Sequence, residues 1–186
     1  MAGTRSSKQT VRNMLQSLAV IGIAAAVIYV FIPHDESADP VQTVDYQVEL
    51  TMARRIAPYP VAAPVGLPDQ GKWRATSKWY DGAKSNAWHL GFLDPENQYV
   101  AIEQSTAPSD KFVAEVSKSA TKTDKSQKIA GATWTFWDGP KYDALVRQDQ
   151  GSTTVVTGTA PYEQLVTMAG ALESKKTAPA TPTPTG

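Results

Sequence analysis

The spacing of hydrophobic residues changes twice along this chain, and each spacing predicts a different kind of element. The first pattern is an unbroken apolar run over residues 14–32, which contains no charged side chain. About 20 apolar residues in a helix cross a hydrocarbon core of about 30 Å. The run therefore predicts a transmembrane helix, because a helix buried in a soluble domain, the alternative, usually keeps a polar stripe.

Charges on the two sides of this run predict its orientation. Basic residues and no acid precede it, whereas the residues that follow it are acidic. Positive charge stays on the cytoplasmic side, so we expect residues 1–13 inside the cell and the rest of the chain outside. A cleaved signal peptide is the alternative. It is disfavoured because cleavage after Ala38 would put Glu36 where a small residue is required.

The second pattern has the spacing of an amphipathic helix and covers residues 44–56. Two opposite ridges run along this helix: Val44, Val48, Met52 and Ile56 on one side, and Tyr46, Leu50 and Ala53 on the other. We expect it to pack through one ridge and to be partly covered on the other. Residues 33–43 before it should form a polar stalk. Residues 58–71 after it, rich in Pro and Gly, should be extended without regular structure.

From Lys72 onward the spacing becomes two, which is typical of half-buried strands. Six strands are predicted, over residues 72–79, 88–92, 100–103, 132–136, 142–147 and 153–157. On the first of them Trp73, Ala75, Ser77 and Trp79 should share one buried face.

Other parts of this region have different patterns. Apolar residues at helical spacing predict helices over residues 109–117 and 165–172. Residues 118–128 are polar and are interpreted as a solvated loop. The Thr/Pro-rich tail, residues 175–186, should be disordered because it cannot bury a core.

Two passages recur in the same order and predict a fold built from two units. Residues 105–113 resemble residues 158–166, and each carries Thr-Ala-Pro between a strand and a helix. Thr suits the helix cap and Pro the first helical turn, so local chemistry could also produce the likeness. We predict an α+β domain over residues 44–174, with one antiparallel sheet made of two strand-strand-strand-helix units and both helices over one face.

Charge and cysteine content exclude several classes of function. The chain has 18 basic and 18 acidic residues and no cysteine. Without the three basic residues before the apolar run, 15 basic and 18 acidic residues remain on the outer side. This balance lacks the excess of positive charge that is typical of nucleic-acid binding. Without cysteine there can be no disulfide and no thiolate metal site.

Candidate chemistry is sparse. His89 alternates with Trp88, so the two side chains should lie on opposite faces of their strand, and Glu103 should share the face of His89. A histidine and a glutamate are too few for a metal site, which usually needs three protein ligands. No serine has an evident set of partners. We therefore predict no catalytic residue, no metal ligand and no cofactor.

Five tryptophans are the most unusual content of the domain. Burial in the core is their ordinary role, since aromatic side chains cover large areas. An exposed tryptophan would instead indicate a face that binds sugar or peptide. Trp88, His89 and Trp137 are our candidates for ligand or partner contacts.

Several short passages together resemble one known family. They are Ala-Pro-Tyr-Pro-Val at 57–61, Gly-Leu-Pro at 66–68, Trp-Arg-Ala-Thr-Ser at 73–77 and Trp-His-Leu-Gly at 88–91. The family consists of actinobacterial membrane-anchored proteins that share a domain of unknown function, DUF4245. The resemblance extends from the anchor to the last helix and brings no activity or site residue with it.

These patterns favour a single-pass membrane protein that contacts the lipid bilayer through residues 14–32. We expect its outer domain to be a non-enzymatic binding or assembly module for an envelope protein or a cell-wall polymer. An envelope enzyme with an unrecognised active site is the alternative. A deep pocket that joins His89 to acids would favour the enzyme, and an open aromatic patch would favour the binding module.

Overall fold

The described residues of the N-terminal unit form one long helix. The computed structural model describes residues 5–31, 41–69, 71–149 and 151–177. Helix α1 (Arg5–Phe31) contains the stretch Val11–Tyr29, which is long and apolar enough to cross a membrane. The large apolar side chains of this stretch range from 49% exposed at Val27 to 71% at Leu18. Most of the predicted stalk, residues 33–40, lies outside the described residues.

A second unit begins at Val41 and contains a seven-stranded antiparallel sheet. Its strands follow the spatial order β2-β3-β4-β8-β7-β6-β5. Their bounds are β2 (Arg74–Asp81), β3 (Ala87–Leu93), β4 (Tyr99–Ser105), β5 (Thr121–Ile129), β6 (Ala132–Asp138), β7 (Asp143–Asp149) and β8 (Ser152–Gly158). Three helices accompany the sheet: α2 (Gln47–Ile56), α3 (Ser109–Val116) and α4 (Tyr162–Gly170). The predicted α+β class is confirmed.

The two predicted units form the two halves of this sheet, because β4 of the first pairs with β8 of the second. Both Thr-Ala-Pro corners open helices, α3 and α4, as predicted. Neither threonine caps its helix, however, since Pro108 and Pro161 occupy the cap positions. The threonines hold the corners in place instead. Thr106 donates to the carbonyl of Ser85, and the hydroxyl of Thr159 accepts from the amide of Tyr99.

The prediction that both helices lie over one face is wrong. Helix α4 packs in a cluster with Val156, whereas α3 packs in a cluster with Val155, and neighbouring residues of a strand point to opposite faces. Strand β8 is buried throughout, so its sequence has no polar face that would indicate the solvent side. If a rotation related the two units completely, it would superpose β2, β3 and β4 on β6, β7 and β8 and would place both helices on the same face of the sheet. The units therefore correspond in their strands and not in the placement of their helices.

We call the side of the sheet under α4 the covered face. Its core contains Trp88, Leu90, Ile102, Leu145 and Val156 from the strands and Leu165, Met168 and Ala169 from α4. Helix α2 also packs there, through Leu50 and Ala53. Its other ridge is not partly covered as expected, because Val48, Met52 and Ile56 are 59–65% exposed. The helix also begins at Gln47, three residues later than predicted.

A second, two-stranded sheet pairs β1 (Val61–Pro64) with β9 (Leu172–Lys175). The expectation of no regular structure over residues 58–71 is therefore wrong for β1. Likewise, Lys175 belongs to a strand, and the amide of Thr177 donates to the carbonyl of Arg54. The predicted disordered tail thus starts too early, and residues 178–186 lie outside the described residues. Both strands are short, and each pairs with a segment that lies far away in the sequence.

The expected solvated loop at residues 118–128 is also wrong over most of its length, because β5 occupies Thr121–Ile129. This strand is at the edge of the sheet and, within the described part of the chain, pairs with β6 alone. Nearly all of its side chains are exposed, so it lacks the alternation of apolar residues by which the other strands were recognised. Its polar sequence reflects exposure and not the absence of a strand.

Candidate functional site

The opposite side of the sheet, which we call the cleft face, is only partly covered. Helix α3 packs over β7 and β8 through Phe112 and Val113, which join a cluster with Trp137, Val146 and Val155. The surface of β2, β3 and β4 on this side remains open. A cleft of about 770 Å³ lies between that surface and α3. Buried His89 and Glu103 are part of its floor.

A β-bulge in β2 brings two further residues to the cleft face. The pairing of β2 with β3 shifts between Ala75 and Ser77. Before the shift, Ala75 lies in the core of the covered face; after it, Trp79 lines the cleft. The predicted common face of Trp73, Ala75, Ser77 and Trp79 is therefore wrong. An extra residue in a strand reverses the alternation beyond it.

Four polar side chains form one hydrogen-bonded chain across β2, β3 and β4. Nδ1 of His89 lies 2.6 Å from Oε1 of Glu103, and Nε2 of His89 lies 2.8 Å from Oγ of Ser77. The hydroxyl of Tyr99 adjoins Ser77. The strand register explains this arrangement, because His89 is directly opposite both Glu103 and Trp79 on the neighbouring strands. The predicted shared face of His89 and Glu103 is confirmed.

Gly91 makes the room that this chain of side chains needs. A Cβ atom at position 91 would lie 2.3 Å from Oγ of Ser77 and 3.1 Å from the hydroxyl of Tyr99. Any larger residue would therefore displace one of the two hydroxyls. The sequence signal of this close approach is a glycine in the interior of a strand.

Burial changes the proton affinity of the groups in the floor. Desolvation raises the pKa of Glu103 above its ordinary value, and the hydrogen bond from His89 acts in the opposite direction. Burial also raises the pKa of Tyr99 to about 12, with the charge of Glu103 contributing. Tyr99 is therefore a neutral hydroxyl at physiological pH and can donate a hydrogen bond.

Trp79 is the exposed aromatic side chain of this site. It is 42% exposed, and its ring stacks on the imidazole of His89 with centroids 5.2 Å apart and an angle of 12° between the planes. The stacking fixes the orientation of the indole at the edge of the cleft. Sequence reasoning missed Trp79 and Ser77 because the bulge that exposes them leaves no mark in the pattern.

The three residues that the sequence singled out are not brought together. His89 lies in the cleft floor, as described. Trp88 is fully buried in the covered face, where its Nε1 donates to the carbonyl of Ala62 at 3.0 Å. Trp137 is 6% exposed and lies beneath α3. Neither tryptophan has a free surface for a ligand, so both candidates are corrected to core residues.

Metal binding has no support in the described part of the chain, where no three His, Asp or Glu side chains are grouped so that they could hold an ion. What the cleft does offer is a polar floor, an aromatic edge and a wall from α3. It also has a rim of exposed charged residues: Lys84, Lys111, Glu115 and Lys118. These groups can bind a small molecule or a segment of a polymer.

The chain therefore combines an apolar helix that is long enough to cross a membrane with an α+β domain. One side of the sheet in that domain is partly open. The chain belongs to the family described as "Protein of unknown function (DUF4245)", whose model matches residues 7–172. The resemblance found in the sequence is thus confirmed. No curated protein and no solved structure matches the chain.

Proposed function

We propose that this protein is a binding module anchored in the cell membrane by α1, with its ligand site in the cleft outside the cell. The apolar stretch Val11–Tyr29 supports the anchor, and the basic residues before it support a cytoplasmic N-terminus. The lipid bilayer is then a partner of the helix. The ligand of the outer domain belongs to the envelope, either a polymer or another protein.

The observation that carries this proposal is the cleft itself. Sites for small ligands are concave, with apolar walls and a few polar groups in fixed positions, and their volumes are about 300–1,000 Å³. The cleft falls in this range at about 770 Å³. Its wall includes Phe112 and Val116 of α3, and its fixed polar groups include His89 and Glu103, which are hydrogen-bonded to each other.

Cysteine labelling tests the orientation, because the chain has no cysteine of its own. Lys125→Cys on β5 and Ser6→Cys before the apolar stretch form a matched pair in the full-length protein. In intact cells, a membrane-impermeant maleimide should label position 125 and should reach position 6 only after permeabilisation. The reverse pattern contradicts the proposal. A shortened, soluble labelled species would support a cleaved signal peptide instead.

Photo-crosslinking in living cells tests the cleft. A photoreactive amino acid replaces Lys118 at the rim, or Lys125 on β5 as the control. Lys118 lines the cleft, whereas Lys125 is exposed on an edge strand. Adducts that form from position 118 and not from position 125 support a ligand in the cleft. Equal adducts from both positions, or none from either, contradict the proposal.

An enzyme is the second candidate, and the contacts of Ser77, His89 and Glu103 favour it. A serine hydroxyl beside a histidine that a carboxylate orients is the arrangement of an activated nucleophile. Ser77, however, is only half-exposed and does not line the cleft, where the carbonyl of a substrate would have to approach it. We therefore rank binding first.

Covalent labelling separates the two candidates. The binding proposal expects a fluorophosphonate probe to label the full-length protein and its Ser77→Ala variant equally weakly. It also expects no turnover of a p-nitrophenyl ester above that of the variant. Labelling that maps to Ser77 and disappears in the variant would replace the binding module with a serine hydrolase.

A further inference from the structure

Trp79 lines the cleft, and its indole is held in place by stacking on His89. Because one ring face already stacks on His89, the indole loses little freedom when its other face makes a contact. The face of an aromatic ring carries negative potential and attracts the C–H groups of a saturated ring. A pyranose has such an apolar C–H face, and its hydroxyl groups point outward around the ring edge.

The floor next to Trp79 can bind those hydroxyl groups. Oε1 of Glu103 is hydrogen-bonded to His89, whereas Oε2 of Glu103 has no hydrogen-bond partner among the described residues. A carboxylate oxygen accepts strong, charge-assisted hydrogen bonds from hydroxyl donors. The neutral hydroxyl of Tyr99, which also lines the cleft, supplies a donor.

The rim carries more positive than negative charge. Lys84, Lys111 and Lys118 are exposed, and within the described ranges none of the three forms an ion pair with an acid. Lys72, Lys78 and Lys175, away from the cleft, do form such pairs. Two acids also line the cleft, Glu103 in its floor and Glu115 at its rim, so the three lysines outnumber them.

From these three features we propose that the cleft binds an acidic saccharide: a sugar ring that stacks on Trp79 and carries a carboxylate or phosphate group facing Lys84, Lys111 and Lys118. This proposal rests on the proposed function and adds the chemical class of the ligand to it. An aromatic plane alone would accept neutral sugars equally well. The unpaired lysines are what select an acidic one.

Calorimetry on the full-length protein in nanodiscs of uncharged lipid tests this class of ligand. Trigalacturonate and galactotriose are the matched acidic and neutral trisaccharides, and glucose 6-phosphate with glucose extends the test to phosphate. We expect each acidic sugar to bind at least tenfold more tightly than its neutral counterpart. The acidic probe that binds more tightly identifies the source of the anionic group. Binding should weaken as salt rises, because exposed charges are screened.

A matched pair of triple variants locates the charge effect. Lys84→Gln, Lys111→Gln and Lys118→Gln together should weaken binding of the acidic sugar at least tenfold. The control replaces Lys122, Lys125 and Lys128 of β5 with Gln, which changes the net charge equally, and it should bind like the wild-type protein. Trp79→Ala should weaken acidic and neutral sugars alike, and unchanged circular dichroism would show that the fold is retained.

Three results would overturn the proposal: equal binding of acidic and neutral sugars, equal weakening by the two triple variants, or no saturable binding of either acidic sugar. Crosslinks specific to position 118 would then show that the binding module survives with another class of ligand. Failure of both experiments would reject the binding module itself.

Discussion

The two faces of the central sheet belong to the same strands, but they are covered to different extents. On the covered face, α2, α4 and the pairing of β1 with β9 enclose the apolar side chains. On the cleft face, a single helix of eight residues, α3, packs over half of the sheet. The shortage of covering structure on one side is what leaves the cleft open. The fold therefore closes an apolar core on one face and leaves a cleft on the other.

Buried polar groups show the same contrast. On the covered face, the side-chain carbonyl of Gln104 accepts from the amide of Ala62 at 2.7 Å, and its amide donates to Thr154 at 2.9 Å. These bonds connect β1 to the main sheet. On the cleft face, Glu103 orients His89 through one oxygen and lies in the floor of the cleft. The hydrogen bonds of Gln104 thus join two sheets, whereas those of Glu103 and His89 stay within one sheet and line the cleft.

Replacing a tryptophan on each face gives the largest expected effect. Trp88→Ala removes a side chain that is fully buried, so it should cost about 3–5 kcal/mol of the free energy of unfolding. Trp79→Ala is the matched change on the neighbouring strand and should cost less than about 1 kcal/mol, because this side chain is 42% exposed. Urea denaturation of both variants measures the difference. Similar losses would mean that the two faces contribute equally to stability.

Leu165→Ala tests whether α4 closes the covered face. Leu165 is fully buried, and deletion of a buried leucine side chain costs about 2–5 kcal/mol. Gln164→Ala, one residue earlier and half-exposed, is the control and should change the unfolding free energy by less than about 0.5 kcal/mol. A loss below about 0.5 kcal/mol for Leu165→Ala would show that α4 does not seal the core.

Gly91→Ala tests the crowding on the cleft face. Its methyl group would press on Oγ of Ser77, and such overpacking costs about 1–3 kcal/mol. Ser77→Ala removes the nearest atom, so adding it to Gly91→Ala should recover part of the loss. Thermal unfolding of the two single variants and the double variant measures this coupling. Strict additivity would show that the two positions do not meet.

Glu103→Gln should have the smallest effect, and that effect should depend on pH. Burial raises the pKa of Glu103 above its ordinary value of 4.5, so folding favours the protonated form. The stability from this group is complete below pH 4.5 and is lost as pH rises through the raised pKa. Glutamine does not titrate. The Tm of the wild-type protein minus that of the variant should therefore fall as pH rises above 4.5, and a rising difference would refute the assignment.

The sequence predicted those parts of the fold in which local pattern and burial agree. Trp88, Leu90 and Phe92 alternate with residues of the opposite face, and their strand is where the pattern placed it. The first residues of α4 follow a Pro corner that the repeat revealed. In contrast, β5 has no apolar face, and β1 and β9 are too short to be recognised without each other. The face to which each helix packs depends on chain crossings that no local pattern encodes.

The candidate site was predictable only in part, for a physical reason. Alternation alone placed His89 and Glu103 on one face, and the register of β3 and β4 joins them. Ser77 and Trp79 reach that face only because of the bulge in β2. Strict alternation assigned them to the core side. Because of this one inserted residue, the alternation in the sequence does not predict which side chains of β2 reach the cleft face.

The pairing of β1 with β9 also sets the order in which the domain can fold. Val61 pairs with Lys175, so this small sheet joins segments at opposite ends of the domain's sequence. Contacts between such distant segments form slowly, because a long loop must close before the contacts can stabilise the fold. During synthesis, β1 stays unpaired until β9 has left the ribosome, so closure of this small sheet is a late step of folding. A chain that stops before Leu172 would lack β9 and would leave β1 without its partner in this sheet.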